Sequence, residues 1–307
     1  MDSPVSLTGR DWKLTTRMAV SFLALTVIYL IFLSFISVYF GLGILPISIM
    51  AGLMILVQWF FSDRLVLWST GTKLASKEQY PQLHQIVENL AQKARIPKPR
   101  VGIMETEVPN SFATGKGPKS SVVAVTTGIM KILDEKELEG VLSHELSHIR
   151  HRDVTIITLA SLFSTIAWYL MQSSMFGAMW GGYGYGGRQQ SGNAFLVIIV
   201  AAIVWVLSFL IIRAISRYRE FAADRGGALL TGQPMYLSRA LMKITGKVKV
   251  APKQQLQKLE GMNAFFIIPA ISGNTIARFF ATHPPVEERV KRLMEIEAQL
   301  RKEGRMQ

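Results

Sequence analysis

His144-Glu145-Leu146-Ser147-His148 sets two histidines four residues apart, with a glutamate directly after the first. On an α-helix, positions four apart lie on one face, so both imidazoles can point at a single metal ion. Zinc accepts neutral imidazole nitrogen, and a catalytic zinc keeps three protein ligands and one position for water. Glu145 can reach that water as a general base. The flanks predict the helix that the spacing requires. Asp134-Glu135-Lys136-Glu137 opens it with acidic residues, which suit the positive end of the helix dipole. Leu138, Val141, Leu142 and Leu146 then recur at helical spacing, with the histidine pair on a neighbouring face. The plainer alternative is a surface helix that happens to carry two histidines four apart. Arg150-His151-Arg152-Asp153 follows and places the motif outside a lipid phase, though close to one.

Composition sets the surroundings. Half of the 307 residues are hydrophobic and only 18% are charged, which is unusual for a soluble domain and ordinary for a membrane protein. Met18 to Phe61 contains no charged residue across 44 positions. Gly41-Leu42-Gly43-Ile44-Leu45-Pro46 in its middle reads as a turn, so the run predicts a helical hairpin. The run is too long for a signal peptide, and no small-residue cleavage site follows a short core. Val154 to Gly187 and Gln189 to Ile212 are again free of charge, around a Gly- and aromatic-rich loop at 177–188 suited to a membrane interface. Four transmembrane helices are expected, at about 18–39, 43–61, 154–176 and 193–213. The alternative, core helices of a large soluble enzyme, sits poorly with these lengths.

Lys and Arg number 34, and all but Arg188 fall on one side of these spans. The positive-inside rule therefore places both termini and both polar segments in the cytoplasm, at a cell membrane crossed several times. The net charge of +13 is explained by anionic lipid on that face; no nucleic-acid-binding motif is present, and nucleic acid is not expected as a partner. The absence of cysteine excludes disulfides and thiolate metal ligands and agrees with a reducing compartment.

The expected organisation is a cytoplasmic N-terminus (1–17), a transmembrane hairpin (18–61), a first polar segment carrying the motif (62–153), a second hairpin (154–213) and a second polar segment (214–307). The two polar segments must fold together. Lys77 to Ala94 predicts a helix, and Val101–Glu105, Asn110–Thr114 and Ser121–Thr126 predict strands of a small antiparallel sheet beside the motif helix. An edge strand there can bind an extended peptide through backbone hydrogen bonds.

A third ligand should come from the second polar segment. Glu220 lies about eight residues beyond the fourth span, about 12 Å along a continued helix. The histidine pair stands at a similar distance before the third span. If those spans are neighbours, both half-sites lie at one depth. Asp224, four residues after Glu220, falls on the same face and can accept a hydrogen bond from a ligating histidine, fixing its tautomer. Pairing with nearby arginines is the competing role for both acids.

His144-Glu145-x-x-His148, a transmembrane pair, then Ser216-Arg217-x-x-Glu220-x-x-x-Asp224, resembles the HtpX family of membrane zinc metalloproteases, gluzincins related to the type I CAAX prenyl proteases. The resemblance runs nearly end to end. It implies one zinc ion per chain held by His144, His148 and Glu220, with Glu145 as catalytic base. It implies a membrane α-helical protein of four spans with a cytoplasmic α+β gluzincin-type domain, cleaving polypeptides, membrane proteins above all, in quality control of damaged or misfolded chains. Asn110-Ser111-Phe112-Ala113 is similar to the family's Asn-Ala-Phe-Ala substrate-binding edge strand, and Ser111 departs from the small apolar residue there. Thr282-His283-Pro284-Pro285 resembles the family's C-terminal pattern. It leaves His283 with two readings: donor to the oxyanion, or a histidine that begins a helix before a proline pair. The last helix, from Val286 to about Lys302, reads as structural.

Three rivals remain at the level of sequence. An intramembrane protease would hold the motif within an apolar run, against Arg150, Arg152 and Asp153. A CAAX-type prenyl-peptide protease shares the site but normally has more spans. A non-enzymatic membrane scaffold would lack one of the five site residues, and all are present. Oligomeric state is not written in the sequence.

Overall fold

In the computed structural model the described residues are 12–40, 44–153, 156, 167, 187–252, 254, 256, 267 and 283–304. Their main elements, in chain order, are α1 (Trp12–Phe40), α2 (Ile44–Thr70), β1 (Lys73–Leu74), α3 (Pro81–Ala94), β2 (Arg100–Met104), β3 (Ser111–Thr114), β4 (Val122–Thr126), α4 (Thr127–Ile132), α5 (Glu135–His151), α6 (Gly187–Thr231), α7 (Pro234–Val250) and α8 (Val286–Lys302). The chain divides into two units. One comprises Met1–Thr15, Phe60–Thr155 and Ser216–Gln307; the other comprises Thr16–Trp59 and Ile156–Ile215.

The second unit is built from helices that are apolar on every face. On α1, Leu25, Tyr29, Phe32 and Ile36 form a buried stripe, while Val20, Leu23, Leu30, Ile31 and Val38 stand exposed on the rest of the surface. Phe32 and Ile36 pack with Ala201 and Val204 of α6, and Leu25 and Tyr29 with Ile215. A helix apolar all round, with large side chains left outside, belongs in lipid. Among the described residues, Thr16–Val38 and Phe195–Thr231 are long and apolar enough to cross a membrane. The expected spans 18–39 and 193–213 fall on α1 and α6, and 43–61 falls on α2. The expected span at 154–176, apart from Ile156 and Ala167, and the loop at 177–186 lie outside the described residues.

The other unit centres on a four-stranded sheet ordered β1-β2-β4-β3. The expectation of an antiparallel sheet is corrected here: β3 pairs with β4 antiparallel, but β2 pairs with β4 parallel, so the sheet is mixed. The reason is topological. β4 returns from β3 by a tight connection and slots between β2 and β3, which forces it to run with β2. Strand periodicity reports which residues alternate, but not which strand is the neighbour. β1, two residues long, was not anticipated. The helix expected from Lys77 starts instead at Pro81, whose fixed φ and missing N–H suit a first helical turn. It ends at Arg95 in a left-handed conformation.

Two contacts fix the motif helix α5. Its start is a capping box: the Asp134 carboxylate accepts from the Glu137 N–H at 2.8 Å, and the Glu137 carboxylate accepts from the Asp134 N–H at 3.0 Å. The other is close approach at glycines. A Cβ added to Gly140 would lie 2.5 Å from the backbone nitrogen of Leu237 on α7, and one added to Gly227 of α6 would lie 2.9 Å from the backbone nitrogen of His144. Real side chains do not tolerate such separations from backbone. Gly227→Ala is expected to push α6 off α5 at the motif. Overpacking of this kind costs about 1–3 kcal/mol, more than the roughly 1 kcal/mol that alanine gains in helix propensity. A lower unfolding midpoint is the expected measurement; a midpoint at or above that of the parent would contradict it.

Candidate metal centre

α5 is buried along the face that carries His144 and Glu145, and α6 continues past its apolar stretch to bring Glu220 and Asp224 against it. The imidazoles of His144 and His148 meet edge to face, with their Nε2 atoms 3.0 Å apart. At that distance one ring nitrogen can donate to the other, or both can bind a single metal ion. The carboxylate of Glu220 closes the triangle, with Oε1 3.4 Å from His148 Nε2 and Oε2 3.5 Å from His144 Nε2. One ligand atom from each of the three lies within 4.8 Å of the others. Glu220 Oε2 is buried, with His283 Nδ1 3.0 Å and Arg289 Nη1 3.6 Å away. Two imidazole nitrogens and a carboxylate oxygen are the donor set that zinc takes in catalytic sites, so these residues fit a zinc ion.

The opposite ring nitrogens are occupied. His144 Nδ1 lies 2.9 Å from Asp224 Oδ1, and His148 Nδ1 lies 2.5 Å from Asp153 Oδ2. Each carboxylate thereby directs its histidine's Nε2 to the centre, the arrangement seen where histidine binds metal. Burial works against charging His144, yet its hydrogen bonds to Asp224 and Glu220 outweigh burial and raise its pKa. Asp224 is in turn gripped by Arg289 of α8, with Nε at 2.9 Å from Oδ2 and Nη2 at 2.7 Å from Oδ1. Burial opposes the charge on Arg289, and Asp224 and Glu220 more than offset it, raising its pKa. Arg289 Nη1 also donates to the carbonyl of Ile267 at 2.9 Å.

Glu145 lies beside the centre with one carboxylate oxygen, Oε1, accepting from the Ser111 hydroxyl at 2.7 Å. Ser111 belongs to β3, the outermost strand. The Thr126 N–H donates to Asn110 O, so Asn110 and Phe112 exchange hydrogen bonds with β4, and the backbone of Ser111 and Ala113 faces the outer edge. Both edge groups of Ser111 are engaged: the Ile267 N–H donates to its carbonyl at 3.2 Å, and its own N–H is taken by a side chain. Asn110 is buried, and its side chain accepts from the Ser111 N–H at 3.1 Å. Phe112 is packed in the core. His283 reaches the same centre from before α8, with Nδ1 3.0 Å from Glu220 Oε2.

The structure brings His144, His148, Glu220, Asp224 and His283 together and ties Glu145 to Ser111; Asn110, Phe112 and Ala113 lie along the same strand, with Phe112 in the core. Three that matter were missed. Asp153 was read only as a polar flank. Arg219 was not singled out among the arginines near Glu220 and Asp224, and it pairs with Asp153 at 2.7 Å. Arg289 was passed over in a helix read as structural. Its signal was available: Arg289, Leu293, Ile296 and Leu300 make the buried stripe of α8, and an arginine on an apolar stripe asks for a buried partner.

Comparison with known proteins follows the same lines. The model of peptidase family M48 matches residues 77–297. A Protease HtpX homolog 2 of Methanosarcina acetivorans is 49% identical over 291 residues, covering 95% of this chain and 98% of that protein. A Protease HtpX homolog of Moorella thermoacetica is 47% identical over 294 residues, covering 95% and 97%. The crystal structure of S. mikatae Ste24p is similar in fold, with a TM-score of 0.52 at 16% identity; the match covers 92% of this chain and 66% of that one.

Proposed function

The chain belongs to peptidase family M48, with the HtpX proteases, and is a membrane metalloprotease; we propose that it is a zinc endopeptidase that cleaves misfolded or damaged membrane proteins at the cytoplasmic face. The observation that carries this reading is the His144–His148–Glu220 triangle with Glu145 beside it. His144, His148 and Glu220 would hold one zinc ion. Bound there, zinc would polarise the scissile carbonyl and lower the pKa of an attacking water.

The chain's own groups do the rest. A substrate in extended form pairs with the outer edge of β3, where the N–H and C=O of Ala113 face outward. Backbone pairing asks little of side-chain identity, which suits a protease whose targets share only an unfolded state. Glu145 takes a proton from the attacking water and returns it to the leaving amine. The Ser111 hydroxyl holds Oε1, leaving Oε2 for that proton. Asn110 fixes the start of the strand through its side chain, and Phe112 anchors it in the core. His283, beside Glu220, donates to the oxyanion as it forms. Asp224 orients His144.

Topology follows from charge. Four spans, 18–39, 43–61, 154–176 and 193–213, with segments 1–17, 62–153 and 214–307 in the cytoplasm, put 32 of the 34 basic residues on the positive-inside face and Arg213 at the end of a span beside it. The test is cleavage of an unfolded membrane protein by the detergent-solubilised, zinc-loaded chain. Chelation is expected to abolish turnover and added zinc to restore it. Turnover that survives full removal of metal would defeat the proposal. Cleavage confined to a prenylated peptide would move the function to the CAAX type.

A further inference from the structure

Each ligating histidine of the proposed centre is backed by a buried aspartate, and each aspartate by a buried arginine. His144 has Asp224 and Arg289. His148 has Asp153 and Arg219, and nothing in the sequence motif marks that second pair. We propose that Asp153 and Arg219 are positioning residues that set the tautomer and ring plane of His148; this rests on the zinc reading above.

The geometry begins with a break in the helix. On a continued α-helix, the fifth residue after His148 would stand about 140° round the axis from it. α5 instead ends at His151, and Arg152 takes a left-handed conformation with φ 58°, its N–H bonding back to the carbonyls of His148 and Ile149. That reversal brings Asp153 back over the last turn, where its Oδ2 meets His148 Nδ1. The other oxygen, Oδ1, accepts from Arg219 Nη2 at 2.7 Å. With both oxygens engaged, the carboxylate has no freedom to turn. Asp153 is 5% exposed and Arg219 4% exposed, so water does not compete for either.

His148 needs this support more than His144 does. Its side chain is 15% exposed, against 1% for His144, so packing restrains it less. Arg219 also immediately precedes Glu220 on α6. One turn of one helix therefore supplies the third ligand and the clamp on the second ligand's partner. A buried ion pair contributes little net stability compared with apolar residues of the same shape. Joining α5 to α6 is therefore a poor reason for this pair, and orienting a metal ligand is a better one.

The experiment measures zinc affinity of the full-length chain in detergent by competition with a chelator. The visible spectrum of the cobalt-substituted protein is recorded in parallel. The variants are Asp153→Asn, Arg219→Lys and the double variant Asp153→Ala/Arg219→Met, which removes the pair without stranding a buried charge. Loss of an orienting partner typically weakens metal binding about 10–100-fold. That loss is expected for Asp153→Asn and for the double variant, with a shifted cobalt spectrum; the metal-free double variant should unfold at a temperature close to the parent's, and Asp153→Asn, which leaves Arg219 buried without its partner, at a lower one. Arg219→Lys should recover part of the affinity. If the double variant binds zinc as the parent does and its cobalt spectrum is unchanged, the pair is only structural and the proposal is overturned. Glu220→Ala run beside it separates the two failures. Zinc lost there but kept in the Asp153 variants defeats the orienting role alone; zinc kept in both defeats the ligand assignment from which it proceeds.

Discussion

Glu145→Gln is expected to retain zinc and to cleave polypeptide about 10²- to 10⁴-fold more slowly, the range that a general base contributes. Glutamine is the right shape for the test. Its amide oxygen can still accept from the Ser111 hydroxyl, as Oε1 of Glu145 does at 2.7 Å, so the side chain stays in place. Its amide nitrogen, however, cannot take a proton from water. None of the three proposed ligands, His144, His148 and Glu220, is altered. The loss should therefore appear in kcat, with KM and zinc content close to the parent. A variant that turned over at the parental rate would remove Glu145 from the chemistry, and one that lost zinc would make it structural.

How much of this was legible in the sequence depends on the range of the interactions involved. The motif helix was legible because its signals are local: the Asp134–Glu137 capping box lies within four residues, and the apolar period repeats within three turns. The spans on α1 and α6 were legible because the absence of charge over some twenty residues has one physical reading in a bilayer. Glu220 and Asp224 could be tied to the motif because a helix converts residue number into distance.

The sheet was not legible in the same way. β4 lies between β2 and β3, and that order comes from non-local pairing that no alternation pattern records. Asp153 was hidden by a single backbone choice, the left-handed turn at Arg152, without which it would face away from His148. Left-handed arginine is rare enough that no sequence rule anticipates it. Ser111 shows a third kind of limit. Its departure from an apolar residue was visible, but its role depends on a contact with Glu145, 34 positions away. Arg289 was the one miss that periodicity alone could have prevented.

Glu220→Ala carries the other large effect, and it falls on the metal rather than on the proton. With Glu220 gone, two imidazoles remain, and hydrolytic zinc sites use three protein ligands. The expected loss of affinity exceeds the roughly 100-fold upper range for removing a mere orienting partner. The metal-free fold should tolerate the change. Glu220 is 5% exposed, and alanine removes both the cost of burying its carboxylate and the ion pairs with His283 and Arg289 that offset that cost. Arg289 keeps its two hydrogen bonds to Asp224 and therefore is not stranded. The two effects separate in one measurement. A ligand at 1,000 times its Kd stabilises the folded state by about 4 kcal/mol, so zinc should raise the unfolding midpoint of the parent clearly and that of Glu220→Ala hardly at all. The midpoints without zinc should be close. An undiminished zinc-dependent rise in the variant would mean that the third donor is elsewhere, with His283, 3.0 Å from Glu220, the next residue to replace.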